Sequence, residues 1–136
     1  MANVNMTAGL KMVGDRASGV SGAAAAIAGM SWDDNTHTFL NTDTALNTQG
    51  ASPDAPQGNA LDSTPTGGSA ATPYVTTHVS TLTTGQFNTF TIKRIALHNS
   101  NAPNDSSLTL MFGVDGLSLV KQSSFSIITT FKLSYT

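Results

Sequence analysis

An all-β fold, an antiparallel β-sandwich or jelly roll, is predicted by three features of this 136-residue chain. From Tyr74 onward apolar residues recur with a period of two, the period of a strand whose successive side chains point to opposite faces. Turn signals separate these runs at short intervals. The acidic residues are eight Asp and no Glu, while Thr is abundant; Glu is a standard residue of exposed helix faces and Thr favours strands.

The length suits one domain with a sizeable core. That core is weighted toward the C-terminus, since 14 large apolar side chains lie in residues 1–73 and 23 in residues 74–136. Residues 1–30 read as an N-terminal arm ahead of a single β-sandwich domain, 31–136. Within MANVNMTAGLKMVG the apolar residues Val4, Met6, Leu10, Met12 and Val13 are spaced so that they either fill a partner's grooves or close the domain's own core. SGVSGAAAAIAGM (18–30) is mostly Ala and Gly, far from the roughly 20 strongly apolar residues of a membrane span. It reads as a small-residue arm or short helix. A strand is expected around Thr36 to Thr42, after the turn-like Asp33-Asp34-Asn35. Residues 47–73 carry four of the five prolines and Leu61 as their only large apolar anchor. Such a stretch cannot offset its own ordering entropy, and reads as a loop or strap laid along the domain or a partner.

The strands follow. YVTTHVSTL (74–82) is the first. In TFTIKRIALHN (89–99), Phe90 and Ile92 share one parity, but after Lys93 and Arg94 the apolar set resumes at Ile95 and Leu97 on the other. A one-residue shift of face requires a bulge or a strand that passes from one sheet to another, with the two cations marking the crossing. NSNAPND (99–105) is a surface loop. SLTLMFGV places Leu108, Leu110, Phe112 and Val114 on one face, Asp115-Gly116 is a turn, and Leu117–Val120 a further short strand. SFSIITTFKLSYT is the clearest strand, with Phe125, Ile127, Phe131, Leu133 and Tyr135 on one face and Thr129 between them.

Composition excludes several functions. With six Lys and Arg, a net charge of −2 and 10% charged residues, the chain lacks the clustered cations that phosphate neutralisation needs, so no nucleic acid is expected as a partner. No membrane partner is expected either. There are no cysteines, hence no disulfide framework, thiolate metal site or cysteine nucleophile. The chain contains no G-x-S-x-G, P-loop, G-x-G-x-x-G or H-E-x-x-H motif. His37, His78 and His98 stand at no spacing that presents two nitrogens to a metal locally. Asp33, Asp34 and Asn35 lack the spacing of a calcium loop and are explained by turn formation. We therefore expect a non-enzymatic protein with no cofactor.

The elements F-T-I-K-R-I-A-L-H, V-D-G-L-S-L and the alternating C-terminal strand ending in Tyr135 resemble those of small structural proteins of tailed-bacteriophage virions. The likeness covers roughly residues 86–136. By size and texture the chain is most similar to capsid cement, or decoration, proteins. That resemblance implies a jelly-roll subunit on the outside of an HK97-type shell, bound to the major capsid protein and to itself as a homodimer or homotrimer. It carries no catalytic residues. The partner-binding residues expected on this reading are Val4, Met6, Leu10, Met12 and Val13 of the arm, with Lys93 and Arg94 presented outward at the bend. Tail, baseplate or head-fibre placement is the alternative. So is a carbohydrate-binding module, which would need Trp32, Tyr74 and Tyr135 exposed together.

Overall fold

A computed structural model describes residues 2–19, 26–44, 57–65, 75–100 and 109–134. Among them the chain is mostly β-strand in antiparallel sheets, with one short helix. The strands are β1 (Ala2–Asn5), β2 (Gly29–Asp33), β3 (Gln57–Ala60), β4 (Val75–Leu82), β5 (Thr91–Ile92), β6 (Arg94–His98), β7 (Leu110–Asp115), β8 (Leu119–Val120) and β9 (Ile127–Ser134); the helix is α1 (Thr7–Ala17). Five strands form a sheet in the order β1-β7-β6-β2-β3, while β4-β9 and β5-β8 form two-stranded ribbons.

The register sorts the large sheet into two faces. Met30 and Trp32 of β2 lie opposite Leu97 and Ile95 of β6, and these in turn opposite Phe112 and Val114 of β7. Alternation therefore puts all six on one face. The β4-β9 ribbon contributes Leu82, Ile127, Phe131 and Leu133 to the same core as Met30, Trp32, Leu97 and Phe112. Trp32 buries its indole there and donates from Nε1 to Thr129 Oγ1 at 3.0 Å, which is how a buried tryptophan keeps its single donor satisfied. The register between β6 and β7 slips between Leu97 and His98. This bulge turns Met111 toward the main core and Leu110 toward a second cluster with Met6, Phe39 and Ala96 on the other face.

The expected crossing is present. β5 pairs with β8 and β6 with β2 and β7, so the run 91–98 leaves one sheet and joins another at Lys93. β4 and β9 follow the predicted runs, and along β9 odd-numbered residues are the more buried and even-numbered ones exposed. The Asp115-Gly116 turn is supported by Gly116 at φ 69, a conformation glycine adopts at no steric cost.

Other expectations are corrected. The described residues among the first thirty do not form an arm. Ala2–Asn5 pairs with β7, α1 covers that strand, and Gly29 and Met30 belong to β2, inside the sheet. α1 carries two glycines against its helical propensity, but Gly9 lets the helix approach closely: a Cβ there would collide with the Met111 carbonyl oxygen. Packing, rather than propensity, holds it. Thr36–Thr42 is not a strand. Within the strap, Gln57–Ala60 forms an edge strand on β2; residues 47–56 and 66–73 lie outside the described residues, as do Leu108, Tyr74 and Tyr135. Trp32, fully buried, is no sugar-stacking platform.

Candidate functional site

Arg94 does not point to solvent. It faces Asp33 across the β2-β6 ladder, is 1% exposed, and pairs bidentately: Nε donates to Asp33 Oδ1 at 2.8 Å and Nη2 to Oδ2. Nη1 reaches the His37 carbonyl at 3.2 Å, and the guanidinium lies 4.7 Å from the Phe39 ring centroid. Burial pushes the Asp33 carboxyl above its usual pKa, while Arg94 and the Asn35 amide pull it back down. The pair organises residues 34–44 over the second face of the sheet. Asp115 Oδ2 accepts from the Phe39 amide at 2.8 Å, the Asn41 carbonyl accepts from Thr7 N, and the Thr44 carbonyl from Leu110 N. Gly113 gives Phe39 room, since a Cβ there would meet the ring at 2.7 Å.

Lys93 is half-buried at the rim of a cleft of about 260 Å³ lined by Asn35–Thr38, Lys93, Arg94 and Asp115–Leu117. Arg94 is neutralised by Asp33, and the lining holds one carboxylate, Asp115, as well as Lys93. The cleft thus has no surplus positive charge for an anion.

The arm residues divide. Met6 and Met12 are core, at 0% and 6% exposure, while Val4 and Val13 pack partly against the two clusters. Leu10, on the outward side of α1, is 54% exposed. Of the seven residues expected to bind a partner, three are buried and only Leu10 stands well into solvent.

Sequence reasoning missed the loop between β4 and β5. Lys121 is fully buried, and its ammonium donates to Asn88 Oδ1 at 2.9 Å and the Gln122 carbonyl at 2.7 Å, with the Phe125 ring 5.6 Å away. It holds a loop in which Phe87 and Thr89 take positive φ, 53° and 70°, costly for side chains of this size. Gln86 and Asn59 exchange reciprocal amide hydrogen bonds at 2.9 and 2.8 Å and tie the loop to β3. Asn88 lies 33 positions from Lys121, and no local spacing announces such a pair.

The histidines are dispersed. His37 pairs with Asp43 at 3.1 Å; His98 is buried at the end of β6; His78 is buried in β4, where desolvation lowers its pKa and Nδ1 has no hydrogen-bond partner. No group of three metal-ligating side chains forms among the described residues, and no helix there is long and apolar enough to cross a membrane.

The remaining feature is a pair of open sheet edges. Among the described residues β1 pairs only with β7 and β9 only with β4. Both border one groove of about 390 Å³, lined by Asn3–Asn5, Phe112–Val114 and Thr130–Ser134. Unpaired strand edges present rows of backbone donors and acceptors to which a further strand can hydrogen-bond. Comparison with known families, curated proteins and solved structures finds no match to this chain.

Proposed function

We propose that this chain is a non-enzymatic structural subunit of a bacteriophage particle, a jelly-roll cement protein on the capsid exterior that bridges neighbouring major capsid proteins. The observation that carries the reading is the run 89–99, which resembles the virion proteins in sequence and crosses between sheets at Lys93. Support comes also from the edges of β1 and β9, unpaired among the described residues, and from exposed Leu10 and Ile128, which would give a small subunit several attachment surfaces. A shell filled with DNA is under outward stress. A subunit bound across two capsid proteins adds binding energy that must be lost before they separate, and many weak bridges suffice.

Copy number tests this. In purified particles, quantitative mass spectrometry should find the chain at a ratio to the major capsid protein of one or a simple fraction of it. A few copies per particle would move the chain to the tail, baseplate or fibres, and absence from particles would overturn the virion reading.

A further inference from the structure

The β4-β9 ribbon is joined to the rest of the fold differently from the strands beneath it. Among the described residues it shares no ladder with the five-stranded sheet. Apolar packing holds it there, helped by the hydrogen bond from Trp32 to Thr129 and by ties from β4 to residues 59–62. The groove of about 390 Å³ follows the seam, lined by β1 and β7 residues of the sheet and by residues 130–134 of the ribbon. A two-stranded ribbon has little stability of its own, so contact with the sheet is what keeps it folded.

His78 stands on the inner face of this ribbon, opposite Phe131 and on the same face as the core residues Leu82 and Leu133. It is 4% exposed; Nε2 lies 3.2 Å from the Thr76 hydroxyl, and the buried Nδ1 has no partner. The neutral ring leaves one nitrogen unsatisfied. An imidazolium would add a second donor without an acceptor and a charge without a counter-ion. On neither layer does another described ionisable side chain point into the seam. Lys132 of β9 is exposed on the parity of Ile128, and Asp62, just past β3, bonds the Thr81 hydroxyl on the outer parity of β4. Asp33, Arg94, His98 and Asp115 alternate with Trp32, Ile95, Leu97 and Val114, and so belong to the far face of the sheet.

We propose that the ribbon is an acid-released flap: a proton taken up by His78 parts β4-β9 from the sheet along the groove and opens the core over Trp32. Burial lowers the His78 pKa in the closed chain. Closure is therefore complete above the ordinary histidine value of about 6.5 and weakens as pH falls below it, by at most about tenfold per pH unit for one proton. The inference stands apart from the particle reading, since release needs no capsid.

Hydrogen exchange read by mass spectrometry on the full chain, at about pH 7.5 and about pH 5 and corrected for intrinsic exchange, provides the test. Protection in β4 and β9 should fall about tenfold between the two while β6 and β7 keep theirs. Acrylamide quenching of Trp32, the only tryptophan, should rise over the same range. His78→Gln cannot gain the charge and should hold protection and quenching at their higher-pH values. Protection unchanged with pH, a loss shared equally by β6 and β7, or a His78→Gln chain that opens with the same profile would overturn the proposal. Should His78→Gln fail to fold, NMR titration of the His78 ring in the unsubstituted chain decides: its midpoint must coincide with that of Trp32 quenching, and a ring that titrates apart from the opening overturns the flap.

Discussion

Arg94→Met removes the guanidinium and leaves an unbranched apolar stem in its place. Arg94 and Asp33 are 1% and 2% exposed, so the substitution strands a carboxylate in the interior and leaves the His37 carbonyl without its donor. Breaking a buried pair from one side costs about 3–5 kcal/mol. For a chain of this size that is a fall in Tm of about 10–20 °C. The loss should depend on pH in one direction. Without Arg94 only the Asn35 amide still opposes the effect of burial on Asp33, its folded-state pKa rises further above the unfolded value, and protonation favours the fold. The penalty therefore shrinks as pH falls through that pKa toward about 4. Asp33→Leu should behave differently, because a stranded guanidinium cannot shed its proton and its penalty stays flat with pH. Asp33→Leu with Arg94→Met leaves no charge behind and should recover most of the loss. Urea unfolding read by fluorescence of Trp32, the only tryptophan and the neighbour of Asp33, measures all four proteins. A loss below about 1 kcal/mol in Arg94→Met, or a double variant no better than the worse single, would refute the reasoning.

His78 binds its proton more weakly in the folded chain than in the unfolded one, so its contribution is intact above the ordinary histidine pKa of about 6.5 and is lost as pH falls below it. Tm should decline in that window, and His78→Gln should flatten the decline. Gly9→Ala, which would stabilise an exposed helix by about 1 kcal/mol, should instead destabilise by about 1–3 kcal/mol, because its Cβ meets the Met111 carbonyl; thermal unfolding gives the sign. Gly113→Ala should cost a similar amount by displacing Phe39, and proteolysis should then open residues 34–44 first.

The parts of the fold legible in the sequence were those written in short-range periodicity. β4 and β9 show alternation, the Asp-Gly turn is local, and the parity shift at Lys93 announced a crossing between sheets; β7 was legible as a strand, but not its faces, because the bulge sends Leu110 to the face opposite Phe112. What stayed hidden was set by long-range partners. Residues 7–17 fold as a helix despite Gly9 and Gly14 because the backbone of β7 lies beneath them. Gln57–Ala60, in a stretch dominated by turn formers, becomes a strand because β2 offers an open edge. The two cations at the crossing were assigned the same direction, yet adjacent strand residues point oppositely. Arg94 lies on the parity of Ala96 and His98, both buried, and its partner Asp33 sits 61 positions away. A buried cation is affordable only with such a partner, and pairing across that separation leaves no mark in local sequence.

The same economy bears on recognition. Of six cations, Arg94 and Lys121 are buried and satisfied internally and Lys11 pairs with Asp15 one helical turn on. The open edges and the groove between them are framed by backbone, amides, hydroxyls and apolar side chains, with Lys132 as their single charge. Contacts built that way gain little from Coulomb steering and lose little to screening. Their strength comes from backbone hydrogen bonds and buried apolar area, so assembly through these edges should tolerate salt and weaken with urea, the reverse of an interface held by exposed ion pairs.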